Sequence, residues 1–147
     1  MANTLDPIVI RGSLPTQAMV PGVGKSPWPR RNAARAIREQ WCALGLASGH
    51  AKKEYERFHV VYRYCPPGRS WSSNVGKLMP TKDKPYCPRD RDNARAAAKP
   101  AIDGLSDAGV IKDDTHKNVL SDNVEFLPIG TTGAGFLEIV IIPEVSS

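Results

Sequence analysis

Between Cys87 and Asp114 the chain reads CPRDRDNARAAAKPAIDGLSDAGVIKDD, with Asp90 and Asp92 one residue apart at the front and Asp113 and Asp114 side by side at the back. Magnesium and manganese prefer oxygen ligands and keep several waters, so two or three protein carboxylates suffice to hold one ion. An Asp-x-Asp pair just ahead of a helix sets both side chains near its N-terminus, and an extended Asp90 points to the same side as Asp92. Lys99 and Asp103 follow Asp92 by seven and eleven residues. At about 100° per residue both fall within roughly 20° of its direction, so Asp92, Lys99 and Asp103 are expected on one helical face. The turn in GVIKDD (109–114) reverses the chain and can return Asp113 or Asp114 toward Asp90. Plainer roles exist for the same residues: aspartate caps helix N-termini, and adjacent acids in a turn are commonly just solvated. A cap accounts for one aspartate but not for a second two residues earlier, nor for the distant pair. The spacing therefore marks a candidate metal site and no more.

The surroundings of these acids are basic. From Arg69 to Lys99 the cations are Arg69, Lys77, Lys82, Lys84, Arg89, Arg91, Arg95 and Lys99, against Asp83, Asp90 and Asp92 as the acids. The whole chain carries a formal charge of +5, with a pI near 9.3. Carboxylates set in a basic field suit a metal that serves a phosphate backbone. At 147 residues the chain is expected to form one domain with its own core. No apolar run approaches the ~20 residues that span a bilayer. The start, MANTLDPIVIRGSL, lacks the basic-then-apolar pattern of a secretion signal. Cys42, Cys65 and Cys87 form an odd set without a CxxC pair, which supports neither a disulfide framework nor a zinc ribbon. A reducing cytoplasm is the compartment expected.

The elements that must carry these residues are readable from their periods. PIVIRG (7–12) reads as a strand closed by Gly12. VPGVGKS (20–26) ends like a phosphate-binding loop, but Met19 stands where that motif needs its first glycine, so no nucleotide site is expected. Residues 27–49 predict a helix from the recurrence of Ala34, Ile37, Trp41 and Leu44. Its other face carries Arg30, Arg31, Arg35 and Arg38, which are either solvated or phosphate-contacting. RFHVVYRYC (57–65) predicts a second strand. Residues 66–89 have no period and many turn formers, and are expected to form a flexible, DNA-facing loop. A helix from about Asn93 to Asp107 follows, with Pro100 expected to kink or restart it. NVEFLPIGTTGAGFLEIVIIPE (123–144) predicts a closing β-hairpin that turns at GTTGAG. The order β, α, β, α, β, β predicts a single mixed α+β domain, a small mixed sheet packed with two main helices.

Asp90-x-Asp92-Asn93, then Lys99-x-x-x-Asp103-x-Leu105, then Ala108-Gly109-Val110 and Asp113-Asp114, resemble the signature of the RusA-type Holliday junction resolvases. VVYRYCPPGR upstream is similar to that family's strand before its acidic motif, and the resemblance covers residues 58–125 best. These are metal-dependent endonucleases often carried by phages and prophages. The resemblance implies a homodimer of mixed α/β fold, two Mg²⁺- or Mn²⁺-dependent sites and paired nicks across a four-way DNA junction. Carried over by position, it makes Asp90, Asp92 and Asp114 the metal ligands and Lys99 the catalytic lysine. The interval from Asn93 to Lys99 is longer than in enterobacterial members by most of a helical turn, which leaves the lysine on the same face. The 66–89 segment is also longer than the pattern.

A divalent ion on the three aspartates would lower the pKa of a bound water and offset charge on the scissile phosphate. Lys99 would stabilise developing negative charge or the leaving oxygen. Arg69, Arg89, Arg91 and Arg95 would hold backbone phosphates, a contact that weakens as salt rises. Two other functions fit the same composition: a structure-selective nuclease acting on flaps or forks, and a non-catalytic DNA-binding protein whose carboxylates are caps and solvated turns. A zinc site built from His50, His59 and His116 with the cysteines matches no ligand spacing.

Overall fold

Four strands pair into one sheet, and two helices cover one face of it. The computed structural model describes residues 5–14, 27–65, 69–72, 77–80, 91–128 and 135–145. In chain order the elements are β1 (Ile8–Gly12), α1 (Pro27–Ala47), β2 (Phe58–Cys65), β3 (Arg69–Ser72), β4 (Lys77–Pro80), α2 (Arg91–Asp107), β5 (Val119–Phe126) and β6 (Phe136–Pro143). The expected mixed α+β domain is the one observed. Residues 66–89, expected to be loop, contain the antiparallel pair β3–β4, with Ser70 opposite Met79. The rest of that segment lies outside the described residues.

The closing hairpin does not form. β5 runs parallel to β2, with Tyr62 opposite Val124, while β6 lies between β1 and β2 and is antiparallel to both. Burial explains the exchange. FLEIVIIP is apolar along nearly its whole length and has most of its residues inside, as a central strand needs. VLSDNVEF is half polar and mostly exposed, with only Val124 buried, which suits the sheet's edge. The parallel pairing of β2 with β5 requires a crossover, and α2 lies within that connection.

Alternation along the strands sends Ile8, Ile10, Val60, Tyr62, Tyr64, Leu137, Ile139 and Ile141 into one core with Trp41, Ile102 and Leu105 from the helices. Ala94, Ala97, Ala98 and Ala101 are buried along α2, so that helix sits close upon the sheet. The two helices touch at Gly104, where an added Cβ would lie 2.4 Å from the carbonyl oxygen of Arg38. Beside that contact the Arg38 guanidinium donates to both Asp107 oxygens, at 2.5 and 2.8 Å. The expected break at Pro100 is absent: α2 runs as one helix through it. Only one backbone bond is lost to a proline, and the buried ring takes its place in the core.

The sheet's other face carries a row of charges. Cross-strand register places Arg11, Glu138, Arg63 and Glu125 side by side on β1, β6, β2 and β5. The Arg11 guanidinium donates to Glu138 at 2.9 Å, and Arg63 donates to Glu138 at 2.7 Å and to Glu125 at 3.2 Å. Glu138 is only 4% exposed, and two cations satisfy it.

Candidate metal and DNA site

The sequence places its acids at the two ends of α2, and local backbone chemistry decides where each one points. At the N-terminal end, the Tyr64 hydroxyl donates to the Ala94 carbonyl at 2.5 Å and ties the first turn of α2 to β2. At the C-terminal end, Val110 N–H donates to Leu105 O and Gly109 N–H to Ser106 O, both at 3.0 Å. Gly109, at φ 78°, supplies the left-handed residue that this termination needs. The reversed chain is then fastened to residues 54–55: Glu54 N–H donates to Gly109 O and Lys112 N–H to Tyr55 O. Asp113 and Asp114 return in this way beside the middle of α2.

Adjacent in sequence, the two aspartates do different things. The Asp114 N–H donates to Asp113 Oδ1 at 2.7 Å, so the Asp113 carboxylate serves the turn. The Asp114 carboxylate faces α2 and accepts from the Lys99 ammonium. Lys99 also donates to Asp103 at 3.0 Å, one helical turn on. Partial burial works against the charge of Lys99, but the hydrogen bonds to Asp114 and Asp103 outweigh it and hold its pKa above the ordinary lysine value.

Asp92 shares the helix with this group but not its contacts. Its side chain is 95% exposed and accepts from Arg95 at 3.1 Å. Arg95 Nε lies 3.3 Å from Asp122, on β5. Between α2, β2 and β5 these groups line a cavity of about 630 Å³, with Tyr62, Arg95, Lys99, Asp114, His116 and Asp122 in its wall. Burial, with the charges of Asp122 and Asp114 nearby, pushes the Tyr62 phenol well above its ordinary range, so it stays protonated.

Of the residues singled out in the sequence, Lys99, Asp103 and Asp114 are brought together, while Asp92 stands beside Arg95. Asp90 and Arg89 lie outside the described residues, as does the Arg69 side chain. Arg91 is exposed at the start of α2, and Arg95 is committed to Asp92 and Asp122. Among the described residues no group of three or more His, Cys, Asp and Glu side chains is placed to hold a metal, and that finding does not reach Asp90. His59 is occupied elsewhere: Ser121 lies 2.6 Å from its Nδ1 and Glu144 lies 2.8 Å from its Nε2. Asp122 was not among the expected site residues. Only the parallel pairing of β5 with β2 delivers it, and the expected hairpin hid that pairing.

No known protein family matches the chain, and no curated protein does. Among solved structures, hydrogenase maturation protein HypE in complex with ATP is similar at 11% identity with a TM-score of 0.31. The match covers all of this chain and 32% of that one, and a likeness so low carries no structural or functional argument. Among the described residues no helix is long and apolar enough to cross a membrane.

Proposed function

We propose that this protein is a metal-dependent endodeoxyribonuclease of the RusA type that resolves four-way DNA junctions by paired nicks, acting as a homodimer. One observation carries the reading. Lys99 and Asp114, fifteen residues apart, meet in one ion pair at the wall of one cavity. These are the lysine and the second aspartate of the pair that the family signature assigns to a single site.

The donor set fits a hard divalent cation, since carboxylate oxygens are what Mg²⁺ and Mn²⁺ select. A cationic group, the Lys99 ammonium, already stands between Asp114 of that set and Asp103. Asp90, Asp92 and Asp114 would hold the ion, which when bound acidifies a water and offsets charge on the scissile phosphate. Lys99 sits where it can neutralise charge that develops on the phosphate or on the leaving oxygen. Arg91 and Arg95, with Arg69 and Arg89, supply the cations for the flanking backbone.

The test is cleavage of a synthetic four-way junction beside a linear duplex and a fork, with Mg²⁺ or Mn²⁺, by the wild type and by Asp92→Asn. Paired symmetric nicks in the junction alone, lost in the variant, are expected. Equal cutting of the fork would make the protein a general nuclease of branched DNA. A non-catalytic DNA-binding protein is favoured by one observation, the full exposure of Asp92 and its pairing within its own helix. That reading expects shifted DNA bands and no cleavage.

A further inference from the structure

The cavity between α2, β2 and β5 holds polar groups that the nuclease reading leaves unused. Tyr62 lines it at 7% exposure and makes no hydrogen bond among the described residues. Its phenol stays protonated, so it offers a hydroxyl donor. Arg95 Nε is buried and also donates to nothing, although Asp122 Oδ1 lies 3.3 Å away. Buried donors without an acceptor are rare, because each one costs free energy. Asp122 stands one diagonal step from Tyr62, since Val60 is opposite Asp122 and Tyr62 opposite Val124. Its carboxylate only accepts. Ala96, Ile102, Val119 and Leu120 supply apolar wall. The charges of Arg95 and Lys99 offset those of Asp114 and Asp122, so the cavity favours a neutral occupant. At about 630 Å³ it lies within the range of small-ligand sites.

We propose that this cavity receives one unstacked nucleobase bearing an amino group, with Asp122 accepting from the amine and Tyr62 donating to the ring nitrogen beside it. A base is neutral, has flat apolar faces for the aliphatic wall, and carries its polar atoms on its edge. Adenine, cytosine and guanine each set an amino group next to a ring-nitrogen acceptor. Thymine and uracil instead set a carbonyl on each side of an N–H, and one carbonyl would then face the Asp122 carboxylate. Discrimination against them is built in by an unpaired acceptor. A phosphate fits the cavity less well, because it would meet the carboxylates of Asp114 and Asp122 in the wall. The inference rests on the proposed action on DNA for the source of the base. A branch point supplies it readily, since extruding a base costs least where its pairing is already broken. Lys99 and Asp114 share the wall, so on that reading the pocket lies beside the phosphate to be cut.

The experiment follows the backbone amide shifts of the full ¹⁵N-labelled chain by NMR during titration with deoxycytidine or deoxyuridine, without metal. These nucleosides are near-isosteres that differ at the edge in question. Deoxycytidine is expected to move the amides of Ala96 and residues 119–122, and to bind roughly three- to ten-fold more tightly than deoxyuridine, the scale of one hydrogen bond. Tyr62→Phe keeps the ring in the core and is expected to weaken deoxycytidine binding by a similar factor. Asp122→Asn is expected to erase the preference, because its amide can donate to a carbonyl as well as accept from an amine. Asp113→Asn, whose carboxylate serves the turn, is expected to stay at the wild-type value. Equal binding of the two nucleosides by the wild type, binding of neither, or an unchanged affinity in Tyr62→Phe overturns the inference. If that protein still cuts junctions, the nuclease reading survives without the pocket. Selective binding by a protein that cuts no DNA upholds the pocket and discards the nuclease.

Discussion

Two neighbouring aspartates differ by the direction of one backbone hydrogen bond. Asp113 accepts from the Asp114 amide and is spent on the turn, whereas Asp114 reaches Lys99. On the proposed nuclease reading, Asp114→Asn is expected to lower junction cleavage by about a hundredfold or more, on the scale of losing one preorganised electrostatic partner. Asp113→Asn is expected to stay within a few-fold of wild type. Single-turnover rates on one junction substrate decide this, and equal losses in the two variants would contradict the assignment. From the sequence this asymmetry was invisible, because either residue of GVIKDD can face α2 until the turn is built. The meeting of Lys99 with Asp103 was legible from helical spacing. Asp92, expected on the same face, instead binds Arg95, three residues on and close enough to compete.

At the scale of the element, the helix pair depends on what is missing at Gly104. A Cβ there would lie 2.4 Å from a backbone oxygen of α1 and 2.9 Å from the backbone nitrogen of Cys42, and neither can rotate aside. Gly104→Ala is expected to cost about 1–3 kcal/mol in urea unfolding, although alanine is the better helix former. The nearby Arg38–Asp107 pair gives a pH signature. Its hydrogen bond with Arg38 lowers the Asp107 pKa below the ordinary aspartate value. The stabilisation is thus present above the unfolded-state pKa and is lost as the pH falls through the lowered folded one. Both groups are well exposed, so solvent screening keeps the contribution to about 0.2–1 kcal/mol. Asp107→Asn should remove that share of stability at neutral pH and none of it once both proteins are acidified below the folded value. A melting series at decreasing pH measures the convergence. Both helices and the first two strands were legible from their periods. The closing hairpin was misread because GTTGAG carries every local mark of a tight turn, and the preference of FLEIVIIP for a doubly buried position is a property of the sheet.

On the scale of the whole molecule, the mixed α+β architecture was readable from element order, but the sheet order was not, since no local residue announces which strand will be central. The charged row is the consequence easiest to test. Glu138 is buried between two arginines of two different strands. Glu138→Ala leaves Arg11 and Arg63 facing each other without their shared acceptor, and is expected to cost roughly 1–3 kcal/mol. Chemical denaturation measures it, and an unchanged midpoint would show that solvent replaces the carboxylate freely. The place of β6 also has a temporal side. Among the described strands β1 pairs with β6 alone, so β1 has no sheet partner until β6, more than a hundred residues later, has left the ribosome. A nascent chain stalled before Phe136 would leave the backbone of β1 without a strand to pair with. Chaperone contact is expected at β1 until β6 emerges and to end when the two strands pair.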